Sequence, residues 1–157
     1  MWIGIDPGKN GGVVAVDRLG QIKHMFVMPD MYELAEFFWS HGTKIKHACL
    51  EKAQTYPHDS KPRAFNYGTH YGTIQGILIS HSVEYTLVTP KEWQKQMICS
   101  NRSKDPKERA LASANKIFKK TKGYWLASKR CKNAHDGMID AALIARYCLA
   151  LNKSPSK

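Results

Sequence analysis

The sequence predicts an α/β fold in a single domain: a mixed five-stranded sheet, part antiparallel meander and part parallel strands, flanked by helices. Three observations predict it. The first 28 residues hold three short apolar, β-rich runs separated by two glycine-containing turn clusters. Beyond them, helical and extended patterns alternate, which is the order of parallel β-α units. A hairpin meander feeding such units implies a mixed sheet with helices on its faces.

The elements follow in order. Residues 2–6 (Trp-Ile-Gly-Ile-Asp) are apolar and end on an acid, and Pro7-Gly8-Lys9-Asn10-Gly11-Gly12 is a turn cluster. Val13 to Val16 make the second strand, Asp17-Arg18-Leu19-Gly20 the next turn, and Ile22 to Met28 the third strand. Pro29-Asp30 punctuates, and Leu34, Phe37 and Phe38 stand at helical spacing within residues 31–40. Residues 45–51 predict a strand ending in Glu51. A polar loop with Tyr56, Pro57 and Pro62 precedes a helix over residues 63–81. Tyr85 to Thr89 form a short strand, and Pro90 opens a short helix at a position where proline is tolerated. A basic amphipathic helix over 105–119, a Lys/Arg-rich connector over 119–132 and a last helix from about 134 to 151 complete the chain. The domain is thus expected to span 1–151, with a flexible basic tail at 152–157.

Composition narrows the function. Lys and Arg total 24 against 13 Asp and Glu, a formal net charge of +11. In a chain of 157 residues that surplus favours a polyanionic partner, nucleic acid above all, through counterion release. No apolar run approaches the roughly 18 residues of a membrane span, and no long basic amphipathic helix suggests a membrane surface. The opening residues lack the basic and apolar regions of a secretory signal, so the expectation is a soluble, cytoplasmic protein. Cys49, Cys99, Cys131 and Cys148 lie far apart with no C-x-x-C pair, which predicts free and mostly buried thiols rather than zinc ligands or disulfides.

Four acids are placed unlike the rest. Asp6 and Glu51 each end a strand, while Asp136 and Asp140 stand at i and i+4 in the first turns of the last helix, on one face. Carboxylates gathered at the rim of a core resist ionising together, and hard divalent cations relieve that repulsion. Taken singly, each has a plainer reading: Asp6 as a turn former, Glu51 as a solvated strand end, the Asp pair as a complement to the helix dipole. His135 is expected to belong to the helix cap rather than to a metal site.

Several segments resemble, in order and over nearly the whole chain, the RuvC-like Holliday junction resolvases, phage-type members especially. Ile3-Gly4-Ile5-Asp6-Pro7-Gly8-Lys9-Asn10-Gly11-Gly12 is similar to their first strand and turn, and Leu50-Glu51-Lys52-Ala53-Gln54 to their second acidic strand. Phe65-x-Tyr67-Gly68-x-x-x-Gly72-x-x-x-Gly76 resembles the following helix and Val88-Thr89-Pro90-x-x-Trp93-Gln94-Lys95 the next strand and turn. His135-Asp136-Gly137-x-x-Asp140-Ala141-Ala142-Leu143-Ile144-Ala145 resembles the C-terminal acidic helix. The resemblance implies a ribonuclease H-like fold, a homodimer, dependence on two Mg²⁺ or Mn²⁺ ions, and paired nicks across four-way branched DNA that leave 5′-phosphate and 3′-hydroxyl ends. By the same resemblance Asp6, Glu51, Asp136 and Asp140 are the catalytic, metal-binding carboxylates. Bacterial RuvC proteins space the last two acids by three, whereas here the gap is four. That leaves open whether Asp136 or His135 takes the third position, and the carboxylate neutralises metal charge better.

Around this centre, Lys9, Lys91, Lys95, Arg102, Lys104, Lys107 and Lys132 are candidates for nucleic-acid contact, and Tyr56 for stacking on an unpaired base at a junction. Gly68, Gly72 and Gly76 form a stripe at i, i+4 and i+8. Three glycines in register cost a helix roughly 1 kcal/mol each against alanine, so they call for close backbone approach, either to the sheet or to a partner subunit. Two other readings stay in view: a ribonuclease H-like or YqgF-like nuclease acting on RNA, and a non-catalytic module that binds branched DNA.

Overall fold

The computed structural model describes residues 1–53, 60–99 and 103–152. Five strands, β1 (Trp2–Asp6), β2 (Gly12–Val16), β3 (Ile22–Val27), β4 (His47–Glu51) and β5 (Tyr85–Val88), form one sheet in the order β3-β2-β1-β4-β5. β1 to β3 are antiparallel neighbours, and β4 and β5 continue the sheet parallel to β1. The first turn closes where the Gly11 N–H donates to the Gly8 carbonyl. The second closes on Gly20, whose φ of 79° is left-handed.

Five helices join the strands: α1 (Met31–His41), α2 (Lys61–Ser80), α3 (Pro90–Met97), α4 (Pro106–Phe118) and α5 (Asp136–Leu151). Their starts are encoded locally. Asp30 with Glu33 caps α1 and Thr89 with Glu92 caps α3, each as a reciprocal capping box, and Ser60 and Asp105 cap α2 and α4. The fourth strand begins two residues later than expected, because residues 42–44 tighten into a 3-10 turn closed by the Ile45 N–H on the Gly42 carbonyl. The basic connector also has structure of its own, a 3-10 turn at Lys122–Trp125.

The period-2 alternation of the strands sorts side chains into two cores. Ile3, Ile5, Val13, Ala15, Ala48 and Leu50 face α1 and α2, where Leu34, Phe38, Ile74 and Leu78 meet them. Val14, Val16, Cys49 and Val88 face the other way, onto α5, with Trp93 of α3, Ala110 and Ala114 of α4 and Trp125 closing that side. Gly4 explains how α5 lies so close. A Cβ there would sit 2.2 Å from the Ala141 carbonyl oxygen and the Ala145 nitrogen, so the helix rests on β1 backbone to backbone.

Two expectations need correction. The glycine stripe does not approach the sheet: a Cβ at Gly68, Gly72 or Gly76 would meet nothing within 4 Å. The cysteines are not mostly buried, since Cys49 and Cys148 are buried but Cys99 is half-buried and Cys131 exposed. Among the described residues no helix is long and apolar enough to cross a membrane.

Candidate active site

Strand parity puts the first two acids together. Ile5 pairs with Leu50 across the parallel β1–β4 ladder, so the next residues, Asp6 and Glu51, end adjacent strands at the same edge. Each is two residues beyond one that faces α5 (Gly4 and Cys49), and therefore points to that side too. The first turns of α5 arrive at the same place. Gly12, the partner of Asp6 on β2, and Gly11 touch the backbone of Gly137, where any Cβ would lie 2.1 Å from the Asn10 carbonyl oxygen. That contact sets Asp136 and Asp140 over the ends of β1 and β4.

The electrostatics register this proximity. Burial lifts the Asp6 carboxyl above its ordinary value, against the pull of the Gly8 N–H, which donates to Asp6 Oδ1 at 3.0 Å, and of nearby His135. Burial also raises Glu51, to about 7, helped by the charge of Asp6 and opposed by the Trp93 indole N–H, which donates to Glu51 Oε2 at 2.7 Å. Asp140 is raised furthest, to about 8, first by burial and then by Asp6, Glu51 and Asp136 together. Asp140 thus feels all three other acids at once.

These carboxylates share one field without forming a closed cage. Among the described residues, no three His, Cys, Asp or Glu side chains stand close enough to hold a metal ion. Lys107 holds one of them, its Nζ 2.6 Å from Asp136 Oδ2. The donor chemistry nonetheless fits a hard divalent cation. All four groups are carboxylates; burial raises the pKa of Asp6, Glu51 and Asp140, and at Glu51 and Asp140 repulsion from neighbouring acids adds to it, penalties that such a cation would relieve.

His135 caps α5, with Nδ1 accepting the Met138 N–H at 3.3 Å. The sequence reasoning singled out Trp93 only as part of a matched segment and missed its role. Trp93 is 1% exposed, and a buried indole needs an acceptor for its N–H. The acceptor proved to be an acid 42 residues earlier in the chain.

The basic candidates divide. Lys91, Lys95, Lys104 and Lys132 are exposed or nearly so, the first two on the same short helix that presents Trp93 to Glu51. Lys107 is engaged with Asp136. Lys9 lies on the turn after Asp6 and lines a groove of about 1160 Å³ with Arg63, Tyr67 and His70 of α2. Tyr56, Arg102 and the tail beyond Asn152 lie outside the described residues.

No family model and no curated protein matches the chain by sequence. Solved structures do match. T. thermophilus RuvC in complex with Holliday junction substrate superposes with a TM-score of 0.67 at 15% identity, covering 98% of this chain and 95% of that one. Thermus thermophilus RuvC in a second structure gives a TM-score of 0.60 at 18% identity, over 92% of this chain and 90% of that one. The mixed sheet and its helices are therefore those of RuvC, and the chain has the RuvC-type, ribonuclease H-like fold.

Proposed function

We propose that this protein is a metal-dependent endonuclease that cuts branched DNA, resolving four-way junctions by paired nicks that leave 5′-phosphate and 3′-hydroxyl ends. The observation that carries the reading is the placement of Asp6 and Glu51 at the ends of adjacent parallel strands, with the first turn of α5 seated against the Asn10–Gly12 turn beside them. Asp140 is thereby buried within reach of the charge of the other three acids. Four acids from three elements, gathered at one sheet edge of a strongly basic chain, have little structural use unless a cation joins them. Bound to these carboxylates, two Mg²⁺ (or Mn²⁺) ions would polarise the scissile phosphate and lower the pKa of an attacking water. The chain's own part is to hold Asp6 through the Gly8 N–H and to aim Glu51 through Trp93, while Asp136, paired with Lys107, would have to exchange that partner to join a cation. The fold shared with a RuvC solved on a Holliday junction supports the substrate class. The open glycine stripe of α2 supports a homodimer, since two sites are needed for paired nicks.

One test compares a mobile four-way junction, a linear duplex and an RNA–DNA hybrid, each with and without Mg²⁺. Cleavage of the junction only with Mg²⁺, abolished in Asp140→Asn, is expected. Preference for the hybrid would move the protein to a ribonuclease. The absence of a preformed cage among the described residues and the Lys107–Asp136 pair favour one second reading, a binding module without chemistry. Tight junction binding in EDTA with no nicking under any divalent ion would establish it.

A further inference from the structure

Lys107 stands where helix stability gives no reason for it. It lies in the first turn of α4, near the positive end of the helix dipole, where a cation is disfavoured. Its backbone is fixed there, because the Lys107 N–H donates to Asp105 Oδ1 at 2.9 Å. From that position its ammonium crosses to the first residue of α5 and lies 2.6 Å from Asp136 Oδ2. Its charge also reaches Asp140, opposing the rise that burial and the other acids impose there. The pair can be exchanged, since the two side chains are 72% and 48% exposed and ion pairs in such surroundings hold only weakly. Lys107 and Asp136 line a cleft of about 90 Å³ with Gln94 of α3, Arg109 of α4 and Asp140 of α5. Donors and cations thus come from α3 and α4, and the two acids from α5.

We infer that Lys107 is an electrostatic latch on the acidic centre, closed in the free protein and opened by substrate. Closed on Asp136, it occupies one of the four acids and repels any divalent cation near the other three, so that metal binds weakly. A phosphate that approaches these acids comes within reach of the ammonium and offers it an oxygen in place of Asp136. Asp136 is then available to a cation, and nucleic acid and metal load together. The coupling runs both ways, because each ligand favours the same open state. Its use is protection: a nuclease whose cations are completed only on its substrate spares other phosphodiesters.

The latch rests on the proposed metal-dependent chemistry, and the experiment separates the two. Binding of Mn²⁺ to the full chain without nucleic acid is followed by electron paramagnetic resonance for the wild type, K107Q, K107R and K23Q. Lys107 and Lys23 are exposed, so folding should survive, and circular dichroism checks it. A single positive charge about 6 Å from a divalent ion in water-like surroundings opposes its binding roughly tenfold, less when salt screens it. K107Q should accordingly bind Mn²⁺ about three- to tenfold more tightly, a gain that structural damage does not produce. K107R keeps the charge and should stay with the wild type. K23Q lowers the net charge equally on the distant strand β3 and should do the same. In an Asp136→Asn background the gain should shrink, because the latch has lost its catch. Fluorescence anisotropy then follows a four-way junction blocked by phosphorothioate linkages at the crossover, with and without Mn²⁺ at matched ionic strength. Mn²⁺ should tighten junction binding by the wild type more than by K107Q, and equal tightening would overturn the coupling to nucleic acid. K107Q binding Mn²⁺ no more tightly than the wild type would overturn the latch and leave the proposed function standing. Absence of Mn²⁺ binding in both proteins would remove the metal centre and the latch together.

Discussion

α5 and α2 are the two longest helices, and they use glycine and burial in opposite ways. Eleven of the sixteen residues of α5 are buried, and its Gly137 is pressed against Asn10 and Gly11. α2 has twenty residues, of which Ile74 and Leu78 alone are buried among those described, and its three glycines face open space. Phe65 and Ile79, at either end of that stripe, are 75% and 65% exposed. Glycine in a helix is tolerated when something approaches closely. In α5 the sheet is what approaches, and the result is a rigid mount for Asp136 and Asp140. In α2 nothing described in this chain does, which leaves the stripe open for the second copy proposed above.

The contrast can be broken at its strong side first. Gly4→Val inserts a side chain where α5 rests on β1 and should cost more than about 4 kcal/mol, enough to prevent folding. A cooperative thermal transition close to the wild-type Tm would show that α5 is not seated as described. Next comes Trp93→Phe, which deletes the hydrogen bond to Glu51. Hydrogen bonds to charged groups contribute roughly 1.5–3 kcal/mol, and without this one Glu51 should titrate above about 7. The pH–rate profile of Mg²⁺-dependent cleavage should move its acid limb upward while the Tm falls by roughly 4 to 8 °C. An unmoved limb would detach Trp93 from the site.

Asp140→Asn gives a third, opposite effect, and its sign follows from linkage. The folded-state value of about 8 lies above the ordinary 3.8. The stability that protonated Asp140 contributes is therefore complete below pH 3.8 and is lost as pH rises through about 8. Without metal the asparagine variant should match the wild type near pH 4 and exceed it at pH 9 by at least about 2 kcal/mol, a gain of roughly 5 °C. Equal Tm values at pH 9 would mean that neither burial nor the neighbouring acids penalise a charged Asp140. The smallest effect belongs to the weak side of the comparison. Gly72→Ala should stabilise an isolated subunit by about 1 kcal/mol. If the stripe packs against a second copy, light scattering should show weaker self-association in the same variant.

Much of this was legible because it is local. Gly11-Gly12 and Asp17 to Gly20 mark the meander, and Asp30/Glu33 and Thr89/Glu92 mark helix starts within a few residues of where they act. Asp6, Glu51, Asp136 and Asp140 stood out for the same reason, each at an element end. Their meeting was not local. It depends on β4 lying beside β1 in a register that ends both strands together; the element order implies a parallel strand but neither its neighbour nor its register. Trp93 reaching Glu51 and Trp125 reaching Asn115 are likewise packing outcomes. So is the openness around Gly68, Gly72 and Gly76, where the same spacing served two readings and only the folded chain eliminated the sheet.

The contact between Gly137 and the Asn10–Gly11 turn has a mechanical meaning as well. Main chain abuts main chain there, so the floor under Asp6 and the post carrying Asp140 travel as one body. Adjusting the spacing of these acids then falls to χ rotations of short side chains rather than to any hinge. Amide deuterium uptake across Gly11–Val14 and Met138–Ala142 should accordingly be among the slowest in the molecule, whether or not a cation has been added.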